Sequence, residues 1–275
     1  MSLPTSTARQ AAFADWKRWS ETAYGRFLIF IAFLALLTGI WQLVVSLDIW
    51  PPYTLPSPGK VGETLWLNTT NGRLPQAIGI SLQRLAIGYV ISVAIGTLLG
   101  SLTATYKIVD NTAGTLILGM QSLPSVAWLP LAVLWFGLNE QAIIFVVLMG
   151  SLFAVAISTR SGIKNIPPIF NRVGQTYGAN RWQMYWHIVL PGMMPALAAG
   201  LKLGWSFAWR GLMAGELLFI GLGLGQMMSM GRDLNDMSLV LATMLVVIIL
   251  GLVMDQLVFG RLEARVLERR GLSQA

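Results

Sequence analysis

The chain has 275 residues, of which 55% are hydrophobic and 11% are charged. Soluble globular domains carry about 25% charged residues, so this composition excludes a soluble domain and indicates an integral membrane protein. The formal net charge is +7. In a membrane protein this excess of Lys and Arg first reports loop orientation, and it does not indicate nucleic-acid binding. The chain contains no cysteine, which excludes disulfides and thiolate metal sites.

The N-terminal segment, residues 1–26, is polar and basic, and an apolar run follows at residues 27–47. A signal peptide is the competing interpretation. However, no small-x-small cleavage site follows, and the run is long enough to span a bilayer. We therefore predict a cytoplasmic tail and a retained first transmembrane helix, with Trp16 and Trp19 as candidate headgroup anchors.

A proline-rich stretch, WPPYTLPSPGKV, lies in the segment of residues 48–76. Proline fixes φ and has no backbone N–H to donate. We predict an ordered, extended loop on the outer face here.

Three further apolar runs predict spans at about 78–105, 112–136 and 141–159. The middle one is interrupted by Pro124 and Pro130. A helix broken at membrane depth must have its freed carbonyl groups satisfied by protein or by a water-filled path. We therefore predict that this span lies beside a translocation path.

The first of these runs contains Gly88, Gly96 and Gly100, which are predicted to let helices approach closely where lipid provides no hydrophobic driving force. Arg84 lies near the predicted outer end of the same run. We expect its long side chain to reach the headgroups, in preference to contacting substrate.

The segment of residues 160–191 is too polar to cross a bilayer, and its last part, RVGQTYGANRWQMYWHIVLP, is amphipathic. Gly178 divides it into two short helices, Asn180 is predicted to cap the second, and Pro191 is predicted to close it. On that second helix, Trp182, Trp186 and Val189 recur at helical spacing, with Tyr185 alongside. Such a stripe is typical of a helix that binds in a groove of another protein.

A fifth span is predicted at about 195–216 and a sixth at 237–259, followed by a charged C-terminal tail, 260–275. Residues 221–236, GLGLGQMMSMGRDLND, are glycine-rich. They lack the lysine pattern of a phosphate-binding loop, so we predict a flexible outer turn or a short re-entrant piece.

Lys202 and Arg210 lie within the fifth span. A cation in a span costs about 2.5–3.5 kcal/mol and is expected to face a bundle interior or a wet cavity. One hypothesis is an anion path guided by these two cations, with Ser206 on the face of Lys202 and with Trp205 and Trp209 as walls.

The alternative, which we weigh about equally, gives these cations a structural role. Arg210 would then pair with Glu216, Asp233 or Asp236 and hold an outer gate. Lys202 would extend towards the cytoplasm.

The positive charges indicate the orientation. On this topology, thirteen Lys and Arg residues lie in cytoplasmic segments, three in outer segments and three in spans. This bias predicts six spans with both termini in the cytoplasm. It also puts the segment 160–191 on the side where ATP is available.

The spacing of one glycine, nine residues and I-x-L-P is carried here by Gly178, Ile188, Leu190 and Pro191. It resembles the cytoplasmic coupling motif of ABC-transporter permeases, which begins with E-A-A. At those first three positions this chain has Arg172, Val173 and Gly174. The arginine removes any contact that the family makes through the acid.

Two further stretches, L-P-S-P at residues 55–58 and W-L-P-L…W-F-G at residues 128–137, resemble permeases of the nitrate, sulfonate, taurine and bicarbonate type. This resemblance implies an all-α, polytopic membrane protein of six transmembrane helices with the type I ABC importer fold. It also implies a homodimer in the bacterial inner membrane, two separate ATPase subunits that carry ATP and Mg, and an outer substrate-binding protein. The permease itself would hold no cofactor.

These considerations give three candidate sites. The ATPase-coupling residues are Arg172, Gly178, Trp182, Tyr185, Trp186, Ile188, Leu190 and Pro191. The substrate-path residues are Lys202, Trp205, Ser206, Trp209, Arg210, Pro124 and Trp128. The outer gate or binding-protein contacts are Glu216, Arg232 and Asp233.

Two other functions are weighed against this one. A stand-alone secondary transporter or channel would need carboxylates at the membrane midplane or an internal repeat, and neither is found in the sequence. An intramembrane enzyme would need paired catalytic groups. The single histidine, His187, lies in the amphipathic segment without a partner acid at a useful spacing, so we predict no catalytic or metal-binding residue.

Overall fold

A computed structural model describes residues 22–219 and 221–268. Most of the predicted N-terminal tail, with Trp16 and Trp19, and the last part of the C-terminal tail lie outside these residues. The part of the chain that the structure describes is helical and contains no strand. This confirms the all-α prediction.

We number the ten helices of the described residues in chain order. They are α1, Ala23–Ser46; α2, Pro58–Thr70; α3, Arg73–Thr105; α4, Lys107–Gln121; α5, Ser125–Phe136; α6, Glu140–Lys164; α7, Pro168–Thr176; α8, Arg181–Glu216; α9, Leu224–Asp233; and α10, Met237–Glu268. Short π-helical turns interrupt α4, α8 and α10 without ending them.

Five helices, α1, α3, α6, α8 and α10, are long and apolar enough to cross a membrane. The pair α4 and α5 forms a sixth span if the two are taken together. Their axes differ by 108°, and the break between them ends at Pro124. Helix α5 begins with a 3-10 turn at Ser125–Trp128, and Pro130 lies in the first turn of the α-helical part that follows, Leu129–Phe136, where its missing N–H costs no hydrogen bond. Of the two predicted interruptions, only the one at Pro124 breaks the helix.

The chain divides into two compact units, 1–64 and 65–275. In the first unit, the indole Nε1 of Trp41 donates a hydrogen bond of 3.1 Å to the carbonyl oxygen of Pro56. This bond ties the proline-rich loop to the second half of α1, so the loop is ordered. The prediction of an extended loop over residues 48–76 is wrong in part, because Pro58–Thr70 form α2 and α3 begins at Arg73. Pro58 does not prevent helix there, since a proline at the first helical position loses no intrahelical hydrogen bond.

The second unit is built around α6, the most buried of the candidate spans, which packs against both α3 and α8. A Cβ atom added at Gly88 of α3 would lie 2.7 Å from a methyl carbon of Val147. At Gly96 it would lie 2.8 Å from the carbonyl oxygen of Leu152. The predicted glycine contact between helices is therefore present, and it joins α3 to α6.

A valine at Gly96 should separate α3 from α6, because the obstructing atom is a backbone oxygen that cannot move aside. Overpacking of this kind typically costs about 1–3 kcal/mol. We expect Gly96→Val to lower the thermal unfolding temperature of the detergent-solubilised protein. Gly39→Val, in open space on α1, is the control and should leave it nearly unchanged.

Candidate functional site

The first candidate site is the coupling segment, which we define as residues 168–191. Its first helix, α7, ends in a Schellman motif. The N–H of Gly178 donates to the carbonyl of Gln175, and the N–H of Ala179 donates to that of Gly174. Gly178 has φ of 72°, a conformation that residues with a side chain adopt only at a cost. The glycine of the motif is thus required by the turn.

The second half of the coupling segment begins with a capping box. The side chain of Asn180 accepts a 2.8 Å hydrogen bond from the N–H of Gln183, and the Gln183 side chain accepts a 2.9 Å bond from the N–H of Asn180. The prediction that Asn180 caps this helix is confirmed. Together, the Schellman motif and the capping box fix the angle between α7 and α8.

The two helices of the segment pack through Gly174, which is buried. A Cβ atom there would overlap the side chains of Met184 and Ile188. A small residue is therefore needed at this position. Ile188, one of the predicted coupling residues, is directed at α7 and helps to hold the two helices together.

Large apolar side chains remain exposed on the coupling segment. Tyr177 is 86% exposed, Trp182 is 69% exposed and Trp186 is 46% exposed. The rings of Trp182 and Trp186 meet edge to face, with centroids 5.4 Å apart. Ile169, Phe170 and Val173 of α7 are also exposed. Exposed apolar patches of this kind mark sites of protein–protein interaction.

The prediction that Pro191 closes the second helix is wrong. The helix continues through Pro191 as α8, and a π-helical turn at Tyr185–Val189 precedes the proline. A proline ring clashes with the carbonyl four residues earlier, and a widened turn relieves that clash. The coupling segment and the fifth span therefore form one continuous helix of 36 residues.

Replacing Gly178 with alanine should loosen the turn between the two helices. A left-handed residue with a side chain costs about 1–2 kcal/mol, which raises the population of the opened turn roughly fivefold or more. We expect Gly178→Ala to speed trypsin cleavage at Arg172 and Arg181 by that factor. Gly39→Ala, within helix α1 and without neighbours, should not change the rate.

The second candidate site is the face of α8 that carries Arg210. Arg210 is exposed, and its guanidinium carbon lies 5.6 Å from the ring centroid of Phe207. Phe207 lines a cavity of about 200 Å³ at the break between α4 and α5, together with Pro124 and Ser125. Thus two predicted path residues lie near Phe207: Pro124 lines the same cavity, and the Arg210 guanidinium lies over the Phe207 ring.

The other predicted path residues lie elsewhere. Trp205 is buried, and its ring packs against Tyr89, Trp209 and Phe259. Trp128 is buried against Phe145 and Phe153. Ser206 donates a hydrogen bond to the carbonyl of Lys202 within its own helix. These aromatic side chains belong to the packed core and do not line the cavity at the break.

Lys202 forms weak ion pairs near the end of α10. Its Nζ lies 3.8 Å from Asp255 and 3.6 Å from Glu263. The two cations of the fifth span therefore have different surroundings. Lys202 is paired, whereas Arg210 has no acidic partner among the described residues.

The third candidate site is a buried charge network around Glu216, whose side chain has 0% exposure. The Glu216 carboxylate accepts hydrogen bonds from Arg84 at 3.0 Å, Ser81 at 2.8 Å and the N–H of Gly225 at 2.9 Å. A second nitrogen of Arg84 donates to Glu140 at 2.7 Å. The network joins α3, the start of α6, the end of α8 and the start of α9.

The glycine-rich turn wraps closely around this carboxylate. A Cβ atom at Gly223 would lie 2.6 Å from an Oε atom of Glu216, and one at Gly225 would lie 2.6 Å from its Cβ. The N–H of Leu224 donates to Ser81, and Arg84 donates to the carbonyl of Leu222. Glycine is needed in this turn because the backbone must approach a buried acid.

Two expectations about these charges are wrong. Arg84 does not extend to the headgroups, because its side chain is 8% exposed and paired with Glu216 and Glu140. Nor does Arg210 pair with an acid of the predicted gate. Glu216 is occupied by Arg84, Asp233 by the neighbouring Arg232, and Asp236 caps α10.

Arg232 and Asp233 are exposed at the end of α9 and remain available to a partner, whereas the buried Glu216 is not. One hint of the network is visible in the sequence. Ser81 and Arg84 are three residues apart, and therefore share a face of a helix that is otherwise apolar. Their shared partner, Glu216, is 132 residues from Arg84 and 135 from Ser81, and it could not be inferred from that spacing.

Comparison with known proteins identifies the family. Residues 92–267 match the family described as binding-protein-dependent transport system inner membrane component. The chain belongs to this family of ABC transporter permeases. The match includes α6, the coupling segment, α8 and most of α10.

Several relatives are similar over most of their length. A protein of Methanocaldococcus jannaschii, described as an ABC transporter permease protein, is 32% identical over 82% of this chain and 86% of its own length. The taurine transport system permease protein of Escherichia coli K12 is 29% identical over 92% of each chain. The nitrate import permease protein of Synechococcus elongatus is 28% identical over 94% of this chain and 96% of its own.

The fold is also similar to that of solved ABC transporters. The crystal structure of an amino acid ABC transporter has a chain that matches with a TM-score of 0.57 and 17% identity. The match covers 75% of this permease and 97% of that chain. At this identity the similarity establishes the fold alone, and it confirms the predicted importer fold.

Proposed function

We propose that this permease forms the translocation path of an ATP-driven importer for a small anion of the nitrate, taurine and alkanesulfonate, or bicarbonate class. The taurine and nitrate permeases among its relatives support this class of substrate. A substrate-binding protein would deliver the anion to the outer face, and two separate subunits would bind ATP and Mg and hydrolyse ATP. A second copy of the permease would complete the path.

The coupling segment is the observation that carries this proposal. It presents exposed Trp182 and Trp186 on a helix whose start is fixed by a capping box. The first turns of a helix with such a face suit a groove on a partner protein. In our proposal that partner is the ATPase, and Arg172 and Tyr185 lie at the edge of the contact.

The helix α8 would transmit the motion of the ATPase. It continues from Arg181 to Glu216, with Pro195 inside it, so Trp186 and Arg210 lie on one continuous helix. At 1.5 Å per residue they are separated by about 36 Å along the axis. Closure of the two ATPases would draw the coupling segments together and rock α8, which alternately opens the path to each side.

We further propose the orientation that the positive charges predict. Both termini and the coupling segment would lie in the cytoplasm, and α9 and the Glu216 network would lie at the outer end. Arg232 and Asp233 of α9 would then face the binding protein. Glu216 and Arg84 would hold α9 in place behind that contact.

Co-purification tests this proposal. The tagged permease would be extracted from its native membrane in a mild detergent, captured, and assayed for ATP hydrolysis. We expect an ATP-hydrolysing subunit to be recovered with it in equal copy number. A permease that is recovered alone, and that carries nitrate or taurine into liposomes without ATP, would instead establish a secondary transporter.

A further inference from the structure

The cavity at the break between α4 and α5 has a polar floor inside a membrane protein. Its volume is about 200 Å³, and its lining includes the polar side chains of Gln121, Ser122 and Ser125. Apolar walls come from Met149, Phe153 and Phe207 of the two helices behind it. No carboxylate is found among the described residues that line this cavity, so they offer no charge to a cation.

Arg210 supplies a positive charge next to this cavity. Its guanidinium lies against the ring of Phe207, which forms one wall. Among the described residues, Arg84, Arg160, Lys164 and Lys202 each have a carboxylate within 4 Å, but Arg210 has none. An arginine without a counter-ion within a span calls for a wet cavity or an anion.

This face cannot lie against lipid. Ser122, Leu123 and Pro124 are exposed at a break in the helix, and Arg210 is exposed beside it. Broken backbone at membrane depth is tolerated only where it is buried in protein or lines water, and a lipid-facing arginine is costly. This face must therefore be covered by protein or line water, and in the proposed assembly a second copy of the chain would cover it and enclose the cavity.

We propose that Arg210, Gln121, Ser122 and Ser125 form a binding site for a small oxyanion such as a sulfonate or nitrate, completed by the second copy. The site rests on the proposed function and specifies where the substrate is held. Guanidinium donors match the geometry of an oxyanion, and the Gln121 amide supplies a further donor. The hydroxyls of Ser122 and Ser125 donate to the carbonyls of Gly119 and Phe207, so they contribute polar lining to the site. The volume lies below the range of about 300–1,000 Å³ typical of drug-sized ligands, which suits a small solute.

The absence of cysteine from the chain gives a direct test. Ser122→Cys gives each copy of the permease in the assembled transporter a single thiol, which lies at the cavity, and it leaves Arg210 intact. Its rate of modification would be compared between two methanethiosulfonate reagents, one that carries a sulfonate and one that carries a quaternary ammonium. We expect the sulfonate reagent to be favoured because of Arg210, and adding Arg210→Gln to reduce that preference about tenfold.

Two controls accompany this comparison. Thr70→Cys, exposed at the end of α2, should show a preference that Arg210→Gln does not change. Gln121→Cys replaces Ser122→Cys if that variant does not assemble. Taurine and nitrate would each be added during labelling, and the anion that slows it identifies the substrate head group.

Three results would overturn the proposed site. They are a preference that survives Arg210→Gln, a thiol that neither reagent reaches in the assembled transporter, and labelling that neither taurine nor nitrate slows. Co-purification of the ATPase tests a different claim, the ATP-driven function. If the ATPase is recovered and the preference is absent, the site alone is wrong. If the preference is present without an ATPase, the anion site stands and the ATP-driven function is wrong.

Discussion

Replacing Glu216 with leucine is expected to destabilise the permease by about 3–5 kcal/mol, the cost of leaving one partner of a buried ion pair uncompensated. Arg84 would keep its charge at 8% exposure and lose the buried half of its pairing. Its remaining partner, Glu140, is 69% exposed, and such pairs contribute about 0–1 kcal/mol. The N–H of Gly225 would also lose its acceptor.

Thermal unfolding of the detergent-solubilised permease measures this effect. Glu63→Leu is a matched control, because Glu63 is an exposed acid that pairs only with the neighbouring Lys60, and it should change stability little. Adding Arg84→Met to Glu216→Leu should recover much of the loss, since apolar side chains often replace a buried pair without cost. A Glu216→Leu variant as stable as the wild type would show that the network does not hold α9.

Replacing Trp186 with aspartate is expected to abolish ATP-driven transport while the permease still inserts into the membrane. The indole is 46% exposed and stacks edge to face with Trp182, so its loss removes the centre of the exposed aromatic patch. Central aromatic residues of an interface commonly cost 2 kcal/mol or more when truncated, and a buried carboxylate adds to this. We expect at least a thirtyfold weaker association with the ATPase.

Co-purification of the ATPase with Trp186→Asp, at equal permease expression, measures the association. Trp66→Asp is the control for loss of an exposed indole. Trp66 is 69% exposed on α2, outside the coupling segment, so this variant should retain the ATPase. Full transport by a well-expressed Trp186→Asp variant would contradict the coupling role.

The sequence predicted best the features that are encoded locally. Asn180 and Gln183 form a capping box within four residues, and the turn at Gly178 is decided by its own backbone conformation. The glycines of α3 were also interpreted correctly, because membrane helices approach closely only where side chains are small. In each case the physical requirement is visible within one helix or one turn.

The features that were missed depend on residues far apart in the chain. Arg84 and Glu216 are separated by 132 residues, so the sequence could not show that they meet in the interior. Asp110 likewise pairs with Arg160 and Lys164 of α6, about fifty residues further on. The same limit explains why the sequence does not distinguish the surroundings of Lys202 from those of Arg210. Which face of α8 turns towards α10, and which towards the break, is decided by packing.

Proline was a misleading local signal at Pro191, as it was at Pro130. A proline ordinarily ends a helix. At Pro191, however, the π-helical turn at Tyr185–Val189 accommodates the ring, and α8 continues. The same turn packs against α7, because a Cβ atom at Gly174 would overlap Ile188. As a result, the second half of the coupling segment and the substrate-path residues of the fifth span belong to the same helix.

ATP-driven uptake by the reconstituted transporter is the most direct test of the central claim. The permease, its co-purified ATPase and the substrate-binding protein would be placed in liposomes, and entry of labelled taurine and nitrate would be followed with and without Mg-ATP. We predict accumulation of one of these anions only when ATP is hydrolysed on the side of the coupling segment. Equal uptake with and without ATP would contradict the account.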